Sequence, residues 1–460
     1  MMARILRIEL RRGPALVIAL LSLALGTALL LSFREGFAGR WLQLAANSRG
    51  LLTVLWPLAL AGGAWLGRRE PSSGVTELLA STVRPRWQRI LPTAGALAGA
   101  VVAAYLLMFL IGAAWVAPTA GYFPVATLPI VAVGALSLVA AAWLGMAAGR
   151  AVPRVVTAPI LAVVGVAVVG FLPDWVLSSA SGADRTIPGA LLLSPVLAGG
   201  LDDFQTLRPW VHVLQTLWLA ALAATGLGLL GAVRHRGIAL AVLPVALGAA
   251  VAVPALPADG YPAAVRVDPD AVALVCDNDG APVCVTRVHA GLLPDLVGPA
   301  REALNQMAKK LPNAPVRAVE NQQSSFWWLT TSVVEQPSHP ADTLVFHTPA
   351  IGPTGRAKLA DSSFVPDLFE AAWWQECPES FASTDGVFLA QSVAAAWLAD
   401  RPLAERSWWS SAEREQAQRA YRTLTALPEA EQRRRMAAAR DAAMDCRADP
   451  LLAILRGEAP

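Results

Sequence analysis

Residues 90–116 read ILPTAGALAGAVVAAYLLMFLIGAAWV, a stretch without a charged side chain. An α-helix rises about 1.5 Å per residue, so an apolar helix of this length can cross the roughly 30 Å hydrocarbon core of a bilayer. The stretch therefore predicts a transmembrane helix.

Six more apolar stretches of similar length accompany it, separated by short charged segments. The chain is 55% hydrophobic and 15% charged, which is too apolar for an ordinary soluble protein. We predict a polytopic α-helical membrane domain of about seven spans. The predicted spans are 15–33, 51–66, 90–116, 126–148, 155–175, 211–233 and 238–256.

The composition changes after Pro257, which predicts two domains, 1–257 in the membrane and 258–460 outside it. The first has 18 arginines and eight acidic residues, net +10, and the second has 19 basic and 26 acidic residues, net −7. Arginines in short loops beside apolar spans indicate orientation and argue against a nucleic-acid partner. Only three lysines accompany 34 arginines, which favours a bacterial source with a GC-rich genome.

The arginines also predict which way the chain crosses the membrane. The alternating segments 1–12, 68–89, 150–154 and 234–236 contain thirteen arginines, and the opposite loops contain five. Basic loops favour the cytoplasmic side, so an odd number of spans starting inside leaves the C-terminal domain extracytoplasmic. We expect a multi-pass protein of the bacterial cell membrane whose first helix is retained, because no small-residue cleavage site follows Phe33.

All four cysteines lie in the C-terminal domain, at Cys276, Cys284, Cys377 and Cys446. An even number of cysteines confined to an exported domain predicts two disulfides, and four cysteines allow three connectivities. We favour Cys276 with Cys284, across a turn-rich segment, and Cys377 with Cys446. Reduced thiols in a cytosolic tail are the alternative.

Chemistry-bearing motifs are sparse along the whole sequence. The predicted spans contain essentially no ionisable side chains of the kind that proton- or ion-coupled transporters need. No GxxxxGK[ST] phosphate-binding loop is present, and His289, His339 and His347 lack metal-binding spacing. We therefore expect no catalytic residue, no metal and no cofactor in this chain, and any ATP would be bound by another polypeptide.

The segment RREPSSGVTELLASTVRPRWQRI, residues 68–90, is the most informative loop. Ser72 or Ser73 can cap a short helix with Glu77 in its first turn. Apolar residues then recur at roughly helical spacing, which predicts an amphipathic helix over about 70–88 at the cytoplasmic surface. An ordinary interfacial helix would have the same pattern.

This segment resembles the coupling helix of ABC-2-type export permeases, and the resemblance extends over residues 1–257. It implies a permease that forms a homodimer or heterodimer with a second permease subunit and docks a cytosolic ABC ATPase, which binds ATP and magnesium. The family usually has six spans, so the predicted seventh is a departure. The matching residues are Glu70, Gly74, Thr76, Glu77, Leu78, Leu79, Arg84 and Arg86.

Two small-residue pairs, Gly95 with Gly99 and Gly145 with Gly149, permit close helix approach. We expect them to serve helix packing within one subunit rather than a dimer interface. The loop 177–207, with an apolar ALLLS between two prolines, is a candidate short re-entrant or interfacial helix.

The C-terminal domain is predicted to have an α+β fold. Strand-like segments lie near 263–289 and 316–346, a helix is predicted over 294–311, and the chain is helical from Val365 onward. The helix 388–401 resembles the zinc-binding helix of gluzincin aminopeptidases in cadence, but Gln391 to Ala395 replace HExxH. We expect an amphipathic core helix there.

Three tryptophan pairs stand out in this domain. Adjacent residues point to different faces, so each pair should have one ring inward and one toward a surface that contacts headgroups, a ligand or a partner. Packing of most rings in the core is the alternative. The candidate surface aromatics are Trp327, Trp328, Trp373, Trp374, Trp408 and Trp409.

These patterns predict a transport subunit without enzymatic activity. The expected function is the membrane permease of an ATP-driven exporter, with lipid as its surroundings and an outer domain for gating or for binding a substrate or partner. The alternatives are a membrane-anchored sensor or envelope assembly factor, and an outward-facing peptidase-like protein.

Overall fold

The structure is a computed structural model, in which residues 13–72, 86–179, 187–197, 200–232, 235–322, 339–359, 364–373, 375, 385–403, 406, 409–447 and 451–458 are described. These residues form two compact units. The first unit ends at Ala271 and the second unit starts at Val272.

The first unit is built mainly of apolar helices. Helices α7 and α8 are joined through a π-helical turn, Ala167–Phe171, into one continuous helix. The helices of the first unit are α1 Pro14–Ser32, α2 Trp41–Gly50, α3 Leu52–Gly67, α4 Arg69–Ser72, α5 Arg86–Val116, α6 Thr127–Ala151, α7 Thr157–Val166, α8 Leu172–Ser179, α9 Pro209–Gly231 and α10 His235–Ala252.

Among the described residues, six helices are long and apolar enough to cross a membrane. They correspond to six of the seven predicted spans. The exception is the predicted span 51–66, which belongs to a bent pair: α2 meets the helix that starts at Leu52 at an angle of 45°. The count rises to seven if this pair is one span.

Helices α3 and α6 cross in direct backbone contact. A Cβ atom placed on Gly145 would lie 2.0 Å from the carbonyl oxygen of Leu60, and one on Gly63 would lie 2.2 Å from that of Ala142. Gly67 and Gly149 continue the same contact. The predicted role of the Gly145 pair in packing within one chain is therefore confirmed, because only glycine permits this approach.

The other predicted glycine pair has different surroundings. Gly95 and Gly99 lie on an exposed face of α5, and no described atom lies within 4 Å of a Cβ placed on either residue. The expectation of packing within the subunit does not hold for this pair.

The first unit continues past the last apolar helix. Strand β1, Gln205–Leu207, pairs antiparallel with β2, Val265–Val267. The Tyr122 hydroxyl also donates to Asp268 at 2.9 Å. These contacts attach residues 258–271 to the helical unit, so the division lies after Ala271 and not after Pro257.

The second unit has a four-stranded sheet in the order β3-β4-β5-β6. Strands β3 and β4 form an antiparallel hairpin, whereas β4, β5 and β6 are parallel. Parallel neighbours require a crossover, and a helix forms part of the connection from β4 to β5. The strands are β3 Leu274–Asp277, β4 Val283–Thr286, β5 Arg317–Glu320 and β6 Thr343–Phe346.

Helices pack with this sheet around one apolar core. The predicted helix over 294–311 is present, and helices occupy the C-terminal part of the chain as expected. Helix α11, Pro269–Val272, lies at the end of the first unit. The helices of the second unit are α12 Leu293–Lys310, α13 Phe364–Ala371, α14 Asp385–Leu398, α15 Ser411–Thr425, α16 Glu429–Met444 and α17 Leu451–Arg456.

Two of the six candidate surface tryptophans are core residues. Trp373 and Trp409 are 2% and 3% exposed and belong to the apolar core, so neither can contact an external ligand. A large ring removes more apolar area from water in the core than at the surface, which favours burial. The remaining four, Trp327, Trp328, Trp374 and Trp408, lie outside the described residues.

The favoured disulfide between Cys276 and Cys284 is present. The two residues are directly opposite on β3 and β4, with Cα atoms 4.0 Å apart. Cys446 is also disulfide-bonded. Its predicted partner, Cys377, lies outside the described residues.

Candidate functional site

A basic cavity lies where several helices of the first unit end. Arg69, Glu70, Arg89 and Arg150 line this helix-end cavity, which has a volume of about 190 Å³. Arg69 and Glu70 follow α3, Arg89 lies in the first turn of α5, and Arg150 lies in the last turn of α6. The Glu70 carboxylate accepts from Arg150 at 3.0 Å.

The helix-end cavity brings together the two sides of the predicted coupling segment. Glu70 lies near the start of the segment, and α5 begins near its end at Arg86, whose side chain is not described. The central residues of the predicted coupling helix lie outside the described residues; these are Gly74, Thr76, Glu77, Leu78, Leu79 and Arg84.

Apolar side chains and Thr93 also line this cavity. The apolar residues are Leu66, Ile90, Met146 and Leu230. They come from α3, α5, α6 and α9, so the ends of four helices contribute to the lining.

A second charged group lies deep in the first unit. Arg49, on α2, is fully buried. Its guanidinium donates to the Gln215 amide oxygen at 2.9 Å and to the Pro195 carbonyl at 2.7 and 3.0 Å. Gln215 donates in turn to the Leu192 carbonyl at 2.9 Å. These contacts, the Arg49 site, fix the segment that contains the 3₁₀-helix Gly189–Leu193.

The sequence pattern assigned Arg49 to the loop before the second predicted span, whereas the structure places it on α2, in the bent pair α2–α3. Burying a charge is costly unless hydrogen bonds satisfy it, so this position marks a structural or functional requirement. The predicted short helix within 177–207 is a 3₁₀-helix, and its neighbouring carbonyls satisfy the arginine.

The second unit has a polar cluster at the carboxyl ends of its parallel strands. Glu320, the last residue of β5, is 1% exposed. Its carboxylate accepts from the Thr286 amide at 2.6 Å, the Thr286 hydroxyl at 2.7 Å and the Thr348 hydroxyl. His289 Nδ1 lies 2.6 Å from the other carboxylate oxygen. An ionised carboxylate only accepts, so His289 Nδ1 carries the proton.

Electrostatics keep this carboxylate ionised. Burial by itself would raise the pKa of the Glu320 carboxyl. The adjacent His289 and the hydrogen bonds from Thr348 and Thr286 outweigh burial and hold this pKa below its usual value of 4.5. The Glu320 carboxyl is therefore ionised at neutral pH. We call Glu320, His289, Thr286 and Thr348 the Glu320 cluster.

A cavity of about 550 Å³ adjoins the cluster. Its walls include Thr348 and His347 after β6, Asp367 on α13, and Phe388 on α14. Burial lowers the pKa of the His347 imidazole below 6.5, and the Asp367 carboxylate opposes this shift. Carboxyl ends of parallel strands are the usual ligand edge of open α/β sheets.

Sequence reasoning treated His289 and His347 as isolated histidines and overlooked Glu320. No local motif marked Glu320, because Thr286, Glu320 and Phe346 come to one edge only when their strands pair in parallel. No group of three potential metal ligands occurs among the residues that the structure describes. The helix that resembles gluzincins in cadence is a core helix, α14, with Gln391 donating to the Trp373 carbonyl at 3.2 Å.

The chain matches no family model, no curated protein and no solved structure.

Proposed function

We propose that this protein is the membrane subunit of an ATP-driven exporter, resembling ABC-2-type permeases. A separate cytosolic ATPase would bind ATP and magnesium and dock on residues 68–89. A second permease subunit, identical or related, would complete the path in the bacterial cell membrane, with the second unit extracytoplasmic. The observation that carries this proposal is the helix-end cavity, which joins both sides of the predicted coupling segment to the helix bundle.

The contacts around that cavity give a route for force. The Glu70–Arg150 ion pair links α4 to the end of α6. Helices α3 and α6 have touching backbones at Gly63 and Gly145, and backbone contact leaves no flexible side chain to absorb a displacement. Motion of a partner docked on the segment would therefore move α3 and α6 together.

Copurification tests the proposal. The tagged full chain, extracted from its native membranes in mild detergent, should bring with it a protein that has a phosphate-binding loop and hydrolyses ATP. Charge reversal in the segment, Glu77→Lys or Arg84→Glu, should weaken that association. The control Glu35→Lys, in the 3₁₀-helix Arg34–Gly36, should leave it intact. The proposal fails if no ATPase associates, or if the segment variants retain normal ATPase coupling.

The cavity of the second unit supports a second candidate function, a membrane-anchored sensor or assembly factor. Phe346, Phe364 and Phe388 supply apolar walls, and Asp367 supplies a carboxylate. This chemistry suits a ligand with an apolar part and a positively charged or donor group, such as a peptide.

Site-specific photocrosslinking distinguishes this candidate. A photoreactive amino acid at position 388 of the full chain should form a discrete adduct in native membranes, and Asp367→Arg should abolish it. The same amino acid at Val316, which is 60% exposed on the second unit, is the control. Equal adducts from both positions would exclude the cavity as the binding site.

A further inference from the structure

Another cavity of the first unit lies where α1 ends. It has a volume of about 480 Å³ and is lined by residues 31–36 and by Asn47 of α2. The turn from α1 into the 3₁₀-helix Arg34–Gly36 forms most of its wall. This cavity, the α1-turn cavity, combines two opposite charges with apolar and amide side chains.

The two charges of the α1-turn cavity have no ionic partner among the residues that the structure describes. Arg34 and Glu35 are exposed, and the Glu35 carboxylate makes no hydrogen bond or ion pair with a described residue. The Arg34 guanidinium lies over the Trp115 ring, 5.8 Å from its centroid. A contact with a ring face leaves the N–H groups of a guanidinium able to donate, so both charges can bind a ligand.

Contacts outside the cavity hold this turn in place. Arg40 donates to the Glu35 carbonyl at 3.0 Å and is paired with the Asp203 carboxylate at 2.6 Å. The Asn47 amide nitrogen donates to the Gln43 carbonyl at 2.8 Å, which leaves the Asn47 amide oxygen to accept. The backbone that carries the two charges is therefore positioned before a ligand binds.

The length of α1 indicates the depth of the cavity in a membrane. This helix has 19 residues, which corresponds to about 28 Å and matches the hydrocarbon core of a bilayer. Phe33, directly after it, is 62% exposed, and Trp115 beside Arg34 is 42% exposed. Aromatic rings are enriched at membrane interfaces. When α1 spans a membrane, the cavity therefore lies among the lipid headgroups.

The chemistry of the lining defines a ligand with two charges close together, because Arg34 and Glu35 are adjacent. A guanidinium binds two phosphate oxygens at once, and a primary ammonium has three N–H donors for a carboxylate. The Asn47 amide oxygen can accept one of these donors. Leu31 and Phe33 add apolar surface that favours a ligand with hydrocarbon chains over a soluble one.

We propose that the α1-turn cavity binds the headgroup of phosphatidylethanolamine. The phosphate accepts from Arg34, and the ammonium group donates to Glu35 and Asn47. A phosphatidylglycerol headgroup has no cation for the carboxylate, and the quaternary ammonium of phosphatidylcholine has no N–H to donate. The inference rests on the proposed membrane insertion, but it does not require the ATPase partner.

Native mass spectrometry of the full chain in detergent tests the lipid site. The probes are palmitoyl-oleoyl phosphatidylethanolamine, phosphatidylcholine and phosphatidylglycerol with the same chains, and soluble O-phosphoethanolamine. We expect a saturable phosphatidylethanolamine adduct that O-phosphoethanolamine does not displace at equal concentration. The other two lipids should bind about fivefold more weakly, since one exposed charge pair contributes up to roughly this factor.

Two single variants test the two charges of the headgroup separately. Arg34→Gln removes the phosphate donor and should weaken phosphatidylethanolamine binding about fivefold. Glu35→Gln removes the negative charge that binds the ammonium and should remove the preference for ethanolamine over choline. Because residues 68–89 do not line this cavity, Glu35→Lys should lose the same preference without affecting the ATPase association.

Matched controls separate the cavity from general surface charge. Arg208→Gln and Asp174→Asn each remove one charge at an exposed residue that does not line the cavity, and both should keep the wild-type preference. Equal wild-type affinity for the ethanolamine and choline lipids would overturn the inference, and this comparison needs no variant to fold. Displacement by O-phosphoethanolamine, or an unchanged preference in Glu35→Gln, would also overturn it. None of these lipid measurements involves ATP, so failure of the exporter proposal would be recognised separately.

Discussion

Both units of this protein bury charged side chains, and Arg49 in the first unit and Glu320 in the second have different partners. Arg49 in the first unit binds uncharged acceptors, the Pro195 carbonyl and the Gln215 amide. Glu320 in the second unit binds hydroxyls, an amide and the titratable His289. The first group is a guanidinium, which keeps its charge, whereas the second is a carboxylate, which loses its charge when the pH falls below its lowered pKa.

The largest expected effect follows from removing the permanent charge of the first unit. Arg49→Ala leaves the Pro195 carbonyl and the Gln215 amide oxygen without their donors, and each unsatisfied buried group costs about 1–3 kcal/mol. We expect the free energy of unfolding to fall by about 3–5 kcal/mol, measured by thermal unfolding of the full chain in detergent. Arg49→Lys keeps the charge without the guanidinium fork and should lose less. An unchanged melting temperature in Arg49→Ala would remove the contrast between the units.

The rigidity of the first unit can be tested at its closest helix crossing. Gly145→Ala introduces a Cβ atom 2.0 Å from the Leu60 carbonyl, so α3 and α6 must separate. We expect a loss of about 2–3 kcal/mol. The matched change Gly95→Ala meets no described atom within 4 Å and should stabilise α5 by up to about 1 kcal/mol. Effects of the same sign in the two variants would contradict this account.

The Cys276–Cys284 disulfide allows the stability of the second unit to be tested separately from that of the first. Cys276→Ser/Cys284→Ser opens a loop with a sequence separation of 8 and should cost about 2.5 kcal/mol by loop entropy. The second unit should unfold at a lower temperature, which limited proteolysis of the chain after Val272 would measure. The resistance of the first unit to proteolysis should not change. A loss of that resistance would show that the two units do not unfold independently.

The smallest effect is the pH dependence assigned to Glu320. Its pKa is lowered in the folded state, so its contribution to stability is complete above the usual pKa of 4.5 and disappears as pH falls through the lowered value. We expect the second unit to lose on the order of 1 kcal/mol from this group on acidification. Asp277, whose pKa is also lowered by Arg301, contributes in the same direction.

The variant Glu320→Gln isolates the contribution of Glu320 from that of Asp277. Its stability should depend less on pH below 4.5 than that of the wild type. The stability that the Arg49 site contributes should not change with pH over this range. Parallel pH profiles for the wild type and Glu320→Gln would refute the assigned role.

Local patterns predicted much of the secondary structure. An apolar run predicts its own helix, because the run has to find a non-aqueous environment whatever its neighbours are. The helix 90–116 was therefore predictable, and the helix 294–311 was predictable from apolar residues at helical spacing. The bent pair α2–α3 was not, because Arg49 breaks the apolar pattern, and its burial depends on carbonyls far along the chain.

The candidate sites were less predictable than the elements that carry them. The coupling segment has a local signature in the sequence. The cavity beside it has none, because its lining residues Glu70, Arg150 and Leu230 are far apart along the chain. Glu320 has no motif around it. It becomes a candidate only when β4, β5 and β6 pair in parallel and bring Thr286 and Thr348 to its carboxylate.

The sequence by itself determined the apolar helices, the α+β character of the second unit and the cysteine pair Cys276–Cys284, since each follows from composition or from contacts over a short separation. Only the tertiary structure decided the Arg49 site, the glycine crossing and the Glu320 cluster. Arg49 and Gln215 are separated by 166 residues, and Thr286 and Glu320 by 34. Contacts over such separations depend on how whole elements pack, and no periodicity within one element records that packing.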